Sequence, residues 1–269
     1  MLPKDSKPTL SPGDVSLILV ATLLLFVMFS LLTTLLGETV ALLLGELLLI
    51  VPALVVVFFR RISFIKTFRV QPVQWKTLAA TSVLFLPVFI LSDELDRIIQ
   101  LFFPMPQEWY QSMIDLIRFS SWQQTIAVLL AGVVFAALSE ELLFRGLVQR
   151  TLEIVREPAA AIVTSSVLFA LVHFNPWSSI QILFLGLVLG YIAWKSGSVF
   201  PAMIMHGLNN LLSLMMINAP ENSLRWYAGE EHVRVLWLIV AAAAALPAWK
   251  LFVVSCRRPE KISSREYNI

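Results

Sequence analysis

Glu140, Glu141 and Arg145 stand in the stretch LSEELLFRG (residues 138–146), inside a run that otherwise reads as membrane-spanning helix. Two histidines, His173 and His206, lie in two further apolar runs, and Asn210 follows His206 by four residues. Ionisable groups in hydrocarbon are costly, so their presence points to function by default. Helical spacing sorts them. Residues i and i+4 share a face, whereas i and i+1 diverge by about 100°. Glu141 therefore stacks with Arg145 as a structural ion pair, and Glu140 is left free to face a cavity. The same four-residue spacing pairs Phe169 with His173 and His206 with Asn210. Each of three helices could thus turn one such edge toward a shared pocket.

A carboxylate, two imidazoles and an amide in a pocket that admits water suggest hydrolysis. Glu140, held in a low-dielectric site, would be a stronger base than a carboxylate in water, which suits a general base acting on water. One imidazole could orient that water, and the other, with the Asn210 amide, could donate to a developing oxyanion. A metal reading uses Glu140, His173 and His206 as zinc ligands with an open fourth position. The HExxH helix of soluble zinc proteases is absent, as are a GxSxG elbow and a pair of intramembrane aspartates. The plain alternatives are a solvated helix end at Glu140–Arg145 and histidines that only pack. Glu46, also mid-run, is expected to make a helix–helix hydrogen bond or to support the site from behind.

These side chains need a scaffold in the membrane. The chain has 269 residues, 58% hydrophobic and only 14% charged, with a mean hydropathy of +0.80. A soluble domain carries about 25% charged residues, so the expected fold is an all-α, single-domain, polytopic membrane protein. Roughly 20 apolar residues cross a bilayer, and about eight spans follow, near 15–36, 38–59, 77–92, 122–150, 158–174, 178–194, 198–218 and 233–255. The first run is too long for a cleaved h-region of roughly 7–15 residues and is expected to remain as a helix. The single cysteine, Cys256, excludes an internal disulfide framework. It stands beside Arg257 and Arg258, where acylation could occur, although an inert thiol is the simpler reading.

Positive residues mark cytoplasmic loops. The 60–76 loop holds Arg60, Arg61, Lys66, Arg69 and Lys76 without an acid, whereas 93–118 holds five acids against Arg97 and Arg118. That alternation predicts both termini on the cytoplasmic side. Residues 97–118, rich in Ile, Leu, Phe and aromatic side chains, are expected to form an interfacial helix on the outer face. Gly186 and Gly190 form a GxxxG, expected to pack within the bundle rather than across a dimer.

EELLFR, FALVH and HGLNN, in that order on three spans, resemble the three motifs of the CAAX protease and bacteriocin-processing family of intramembrane endopeptidases, the Abi group. The pattern EExxxR, FxxxH, HxxxN is filled without departure by Glu140, Glu141, Arg145, Phe169, His173, His206 and Asn210, and the resemblance covers residues 125–218. It implies an eight-helix endopeptidase related to the Ras-converting CAAX protease. In that case Glu140 is the essential base, His173 helps to activate water, and His206 and Asn210 form the oxyanion site. Glutamate chemistry is then favoured over a metalloprotease and no cofactor is required, although zinc stays open. The expected partners are the lipid bilayer and a membrane-anchored or prenylated peptide substrate, with no nucleic acid. The membrane would be the plasma membrane of a prokaryote or the endoplasmic reticulum of a eukaryote. A non-catalytic immunity or scaffold protein of the same fold and a proton-coupled transporter are the competing readings. One tension stands against a shared pocket: counted along straight helices, His173 lies about 22 Å into its span and His206 about 12 Å into its own, a depth gap of roughly 10 Å.

Overall fold

The structure, a computed structural model, describes residues 10–220 and 222–256. The chain tails and Glu221 lie outside the described residues. Among the described residues every regular element is helical, apart from an isolated bridge between Ala228 and Val233. The elements are α1 (Pro12–Leu36), α2 (Glu38–Leu48), α3 (Val51–Phe59), α4 (Phe64–Thr67), α5 (Trp75–Phe102) and α6 (Gln107–Ile117). Next comes one 34-residue helix, Trp122–Val155, and then α10 (Pro158–Leu171), α11 (Ser179–Ser196), α12 (Phe200–Ile217) and α13 (Val235–Ser255).

The 34-residue helix is not uniform. It runs as α7 (Trp122–Leu129), a π-helical stretch π1 (Leu130–Phe135), α8 (Ala136–Glu141), a second stretch π2 (Leu142–Val148) and α9 (Gln149–Val155). Ser121 caps its start by accepting the Gln124 N–H at 3.2 Å. This helix is 56% buried across its apolar window, against 17% for α1 and α13. It is therefore the axis of the bundle, with α2, α10 and α12 packed around it. The many exposed Leu, Val, Ile and Phe side chains of α1 and α13 are the surface a bilayer would cover.

Among the described residues six helices are long and apolar enough to cross a membrane, seven if the α2–α3 pair is one span, where eight were expected. The expected second span is bent by 41° between Leu48 and Val51. Pro52, in the first turn of α3, has no N–H to return to the preceding turn. The expected fifth span is a helix of only 14 residues, because Phe174 takes a left-handed conformation (φ 50°) and Asn175 precedes a proline.

The third span is longer than 77–92, since Asp93, Glu94, Asp96 and Arg97 do not end it. Arg97 pairs with Asp93 one turn back (3.1 Å). The 218–234 loop folds over the other acids: Tyr227 donates to Asp93 (3.0 Å), and Glu94 takes the Val233 N–H (2.8 Å) and meets His232 (2.7 Å). The interfacial helix expected over 97–118 is consequently two pieces. Residues 97–102 end α5, Pro104 and Pro106 interrupt, and α6 follows from Gln107.

Candidate active site

α8 ends on Glu140 and Glu141, and their side chains part as the spacing requires. Glu141 is fully buried and Arg145 is 1% exposed; Arg145 Nη1 donates to Glu141 Oε1 at 2.8 Å. Arg145 also donates Nη2 to the Gly186 carbonyl (3.3 Å) and lies 4.0 Å above the Phe169 ring. Glu141 has a second partner that intrahelical spacing does not reveal: His206 Nδ1, on α12, lies 2.9 Å from the same Oε1.

Glu140 lines a cavity of about 230 Å³ together with His173, Phe144, Thr22 and Glu46. Its Oε2 is buried without a hydrogen-bond partner. That oxygen lies 3.8 Å from His173 Nε2 and 3.9 Å from His206 Nε2. Both distances exceed a direct hydrogen bond but suit a bridging water. The ring partners define the tautomers. His173 Nδ1 meets the Phe169 carbonyl at 2.7 Å, which can only accept, so Nδ1 carries the proton and Nε2 offers its lone pair toward Glu140. His206 Nδ1 likewise faces a carboxylate. Phe169 is the packing hub: its ring stands edge-on to His173 (4.7 Å between centroids), Phe144 (5.3 Å) and His206 (6.0 Å).

The structure therefore brings Glu140, His173 and His206 together, with Glu141, Arg145 and Phe169 behind them. The depth gap of straight-helix counting is not realised. His173 lies in the turn beyond α10 rather than within a span, and both imidazoles reach one carboxylate oxygen. Asn210 is engaged differently from expectation. Its amide donates to the Gly132 carbonyl (2.8 Å), and its oxygen accepts from Asn209 (3.3 Å). The π1 stretch accounts for the first bond. Ala136 N–H pairs with the Ala131 carbonyl, five residues back. Return to i→i−4 pairing leaves the next carbonyl, that of Gly132, open to a side chain. Among the described residues no group of three or more His, Cys, Asp or Glu side chains is arranged to hold a metal ion.

Three features escaped the sequence reading. Gln149 and Glu153 continue the i+4 row of Glu141 and Arg145. Gln149 donates to the Gly190 carbonyl (3.0 Å) and shares its amide with Glu153 (2.9 Å), and Glu153 pairs with buried Arg69. Burial lowers the pKa of the Arg69 guanidinium, against the opposing pull of Glu153. Arg145 and Gln149 thus grip the carbonyls of Gly186 and Gly190, and a methyl at either glycine would press on α10 or on Gln149. The GxxxG packs inside the bundle, and the signal was its match in spacing to Arg145 and Gln149. The other two features are the π stretches, which no residue pattern announced, and the cavity that Glu46 shares with Glu140. Of Glu46 a helix–helix hydrogen bond or support from behind the site was expected, and its Oε2 has no hydrogen-bond partner while the residue lines that cavity.

Residues 122–212 match the family model described as type II CAAX prenyl endopeptidase Rce1-like. The matched segment is about a third of the chain and contains all three motifs, so the family resemblance read from them is shown over this segment. No curated protein and no solved structure matches the chain.

Proposed function

Proceeding from the match of its central segment to type II CAAX prenyl endopeptidases, we propose that this chain is a multi-pass intramembrane protease that cuts near the C-terminus of a membrane-anchored or prenylated substrate. The observation that carries the reading is the Glu140 Oε2 atom: buried, unpartnered, and within 4 Å of imidazole nitrogens from two other segments. A water held by Glu140 and His173 Nε2 gives one proton to the carboxylate as its oxygen attacks the scissile carbonyl. His206, when protonated at Nε2, donates to the oxyanion, and Glu141 at 2.9 Å from Nδ1 stabilises that imidazolium. Asn210 has one further amide hydrogen for the same oxyanion beyond the one given to Gly132. The Phe169 carbonyl holds the His173 ring with its lone pair inward, which serves water activation.

The test is cleavage of prenylated and unprenylated tail peptides by the purified protein in lipid nanodiscs. Glu140→Gln is expected to lose activity by about 10²-fold or more, as for a general base. Asn210→Ala should lose about 10²-fold in kcat, as for one oxyanion donor. Wild-type activity is expected to survive a strong chelator; abolition by chelator with recovery on zinc would replace this mechanism by the metal one. Failure of the wild type to cut any member of the panel, with peptide still bound, would favour a scaffold role.

A further inference from the structure

The carboxylate of Glu46 has no place in the reaction as described. Glu46 lies in the last turn of α2, which packs against α7, π1 and α8. It lines the cavity of about 230 Å³ that holds Glu140 and His173, and also the adjoining apolar cavity of about 680 Å³ bordered by Phe26, Phe29 and Leu49. No lysine or arginine lines either cavity among the described residues. The structural acids of this bundle are built otherwise: Glu141 has Arg145 and His206, and Glu153 has Arg69 and Gln149. An acid placed in an apolar helix with one oxygen buried and unpartnered is costly, and packing does not account for it.

The geometry points to Glu46, which lines the same cavity as the base Glu140, as the general acid that protonates the leaving amine. This rests on the reading of Glu140 as that base. The titratable groups that share the cavity with Glu46 are Glu140, from the central helix, and His173, from the turn after α10. An isolated carboxylate in an apolar cavity is costly, and Glu46, with no lysine or arginine lining its cavities, is placed to keep its proton. Water gives a proton to Glu140 and its oxygen bonds to the scissile carbon. The carbon–nitrogen bond then breaks, its electron pair passes to nitrogen, and nitrogen takes the proton of Glu46. Glu140 returns its proton to Glu46 through water, so that one water is consumed and both carboxyls are restored. The cavity has room for several waters at about 30 Å³ each.

The experiment compares a farnesylated tail peptide with an analogue carrying a thioester at the scissile bond, for wild type, Glu46→Gln, Glu46→Asp and Glu140→Gln. A thiolate leaves without a proton; an amine does not. Glu46→Gln is expected to lower kcat on the amide by about 10²-fold, within the range of general acid catalysis, while KM stays within about threefold. On the thioester it should stay within about threefold of wild type, which also shows that it is folded. Glu46→Asp, which keeps the proton on a shorter arm, should recover part of the amide rate. Equal losses on both substrates, or no loss on the amide, would overturn the role of Glu46 and leave Glu140 untouched. Activity of Glu140→Gln on both substrates would overturn the parent reading instead.

Discussion

Replacing Arg145 with methionine keeps most of the side-chain volume and removes the charge, and the consequences can be worked from the contacts. The guanidinium supplies a 2.8 Å bond to Glu141, a 3.3 Å bond to the Gly186 carbonyl and a face-on contact with Phe169 at 4.0 Å. Both members of the pair are 1% exposed or less. Without Arg145, the buried Glu141 carboxylate keeps His206 as its one remaining donor, since its other oxygen is already unpartnered. Stranding one partner of a buried pair costs about 3–5 kcal/mol. The lost cation–π contact, about 2 kcal/mol when desolvated, is partly offset by a sulfur–aromatic contact of about 1 kcal/mol. A net loss of about 5 kcal/mol corresponds to a fall in melting midpoint of about 15 °C for a chain of this size. The assay is thermal unfolding of the purified variant in detergent. In the double variant Glu141→Gln/Arg145→Met no charge is stranded, so at least half of the lost midpoint should return. Activity should not return with it, because His206 has lost the carboxylate behind its imidazolium. A single variant melting within about 2 °C of wild type would refute the buried-pair reasoning. A double variant no more stable than the single would refute it equally.

Two further outcomes can be measured on the same preparations. Gly146→Ala would place a methyl 2.7 Å from the Phe68 carbonyl oxygen and 2.9 Å from its Cα. The helix-propensity gain of about 1 kcal/mol should lose to overpacking of about 1–3 kcal/mol, whereas Gly132→Ala, facing only the end of Leu214 at 3.4 Å, should be neutral or stabilising. Equal midpoints for the two variants would contradict the close approach. Burial pushes the Cys256 thiol up to about 11, with Lys195 pulling it partly back. A raised value leaves little thiolate at neutral pH, so iodoacetamide labelling of the folded protein should be slow at pH 7.5 and rise with each added pH unit up to about 11. Fast labelling at neutral pH would contradict that environment.

The division of labour between Glu140 and Glu141 was legible in the sequence because a four-residue spacing needs only one local turn of helix. Its extension through Gln149 and Glu153 was equally legible and was missed, because polar residues near a helix end read as solvated. The link from Glu141 to His206 spans 65 residues and depends on how α12 lies against α8; no local rule supplies it. The acids of 93–97 misled for the complementary reason. They read as the end of a span, and their partners Tyr227, His232 and Val233 lie on a loop about 135 residues away. Depth counting failed because it assumed straight helices entering at one level, whereas His173 sits on a turn beyond the end of α10.

Those two changes of pitch act as phase adjusters. Each wide turn takes up an extra residue, so the angular position of everything beyond it is offset from an ideal 3.6-residue wheel by about one residue, or 100°. π1 sets the bearing of Glu140 and Glu141 relative to the half of the helix held by α2, and π2 sets the bearing of the Gln149–Glu153 grip relative to the acids. A deletion of one residue within 130–135 is absorbed when the first wide turn closes to ordinary helix. A second deletion there, with no extra residue left to give up, would preserve every motif letter and swing both carboxylates about a quarter turn away from the histidines. In this chain the aim of the acids is carried as much by residue count as by residue identity, and a comparison of motif letters alone would not detect its loss.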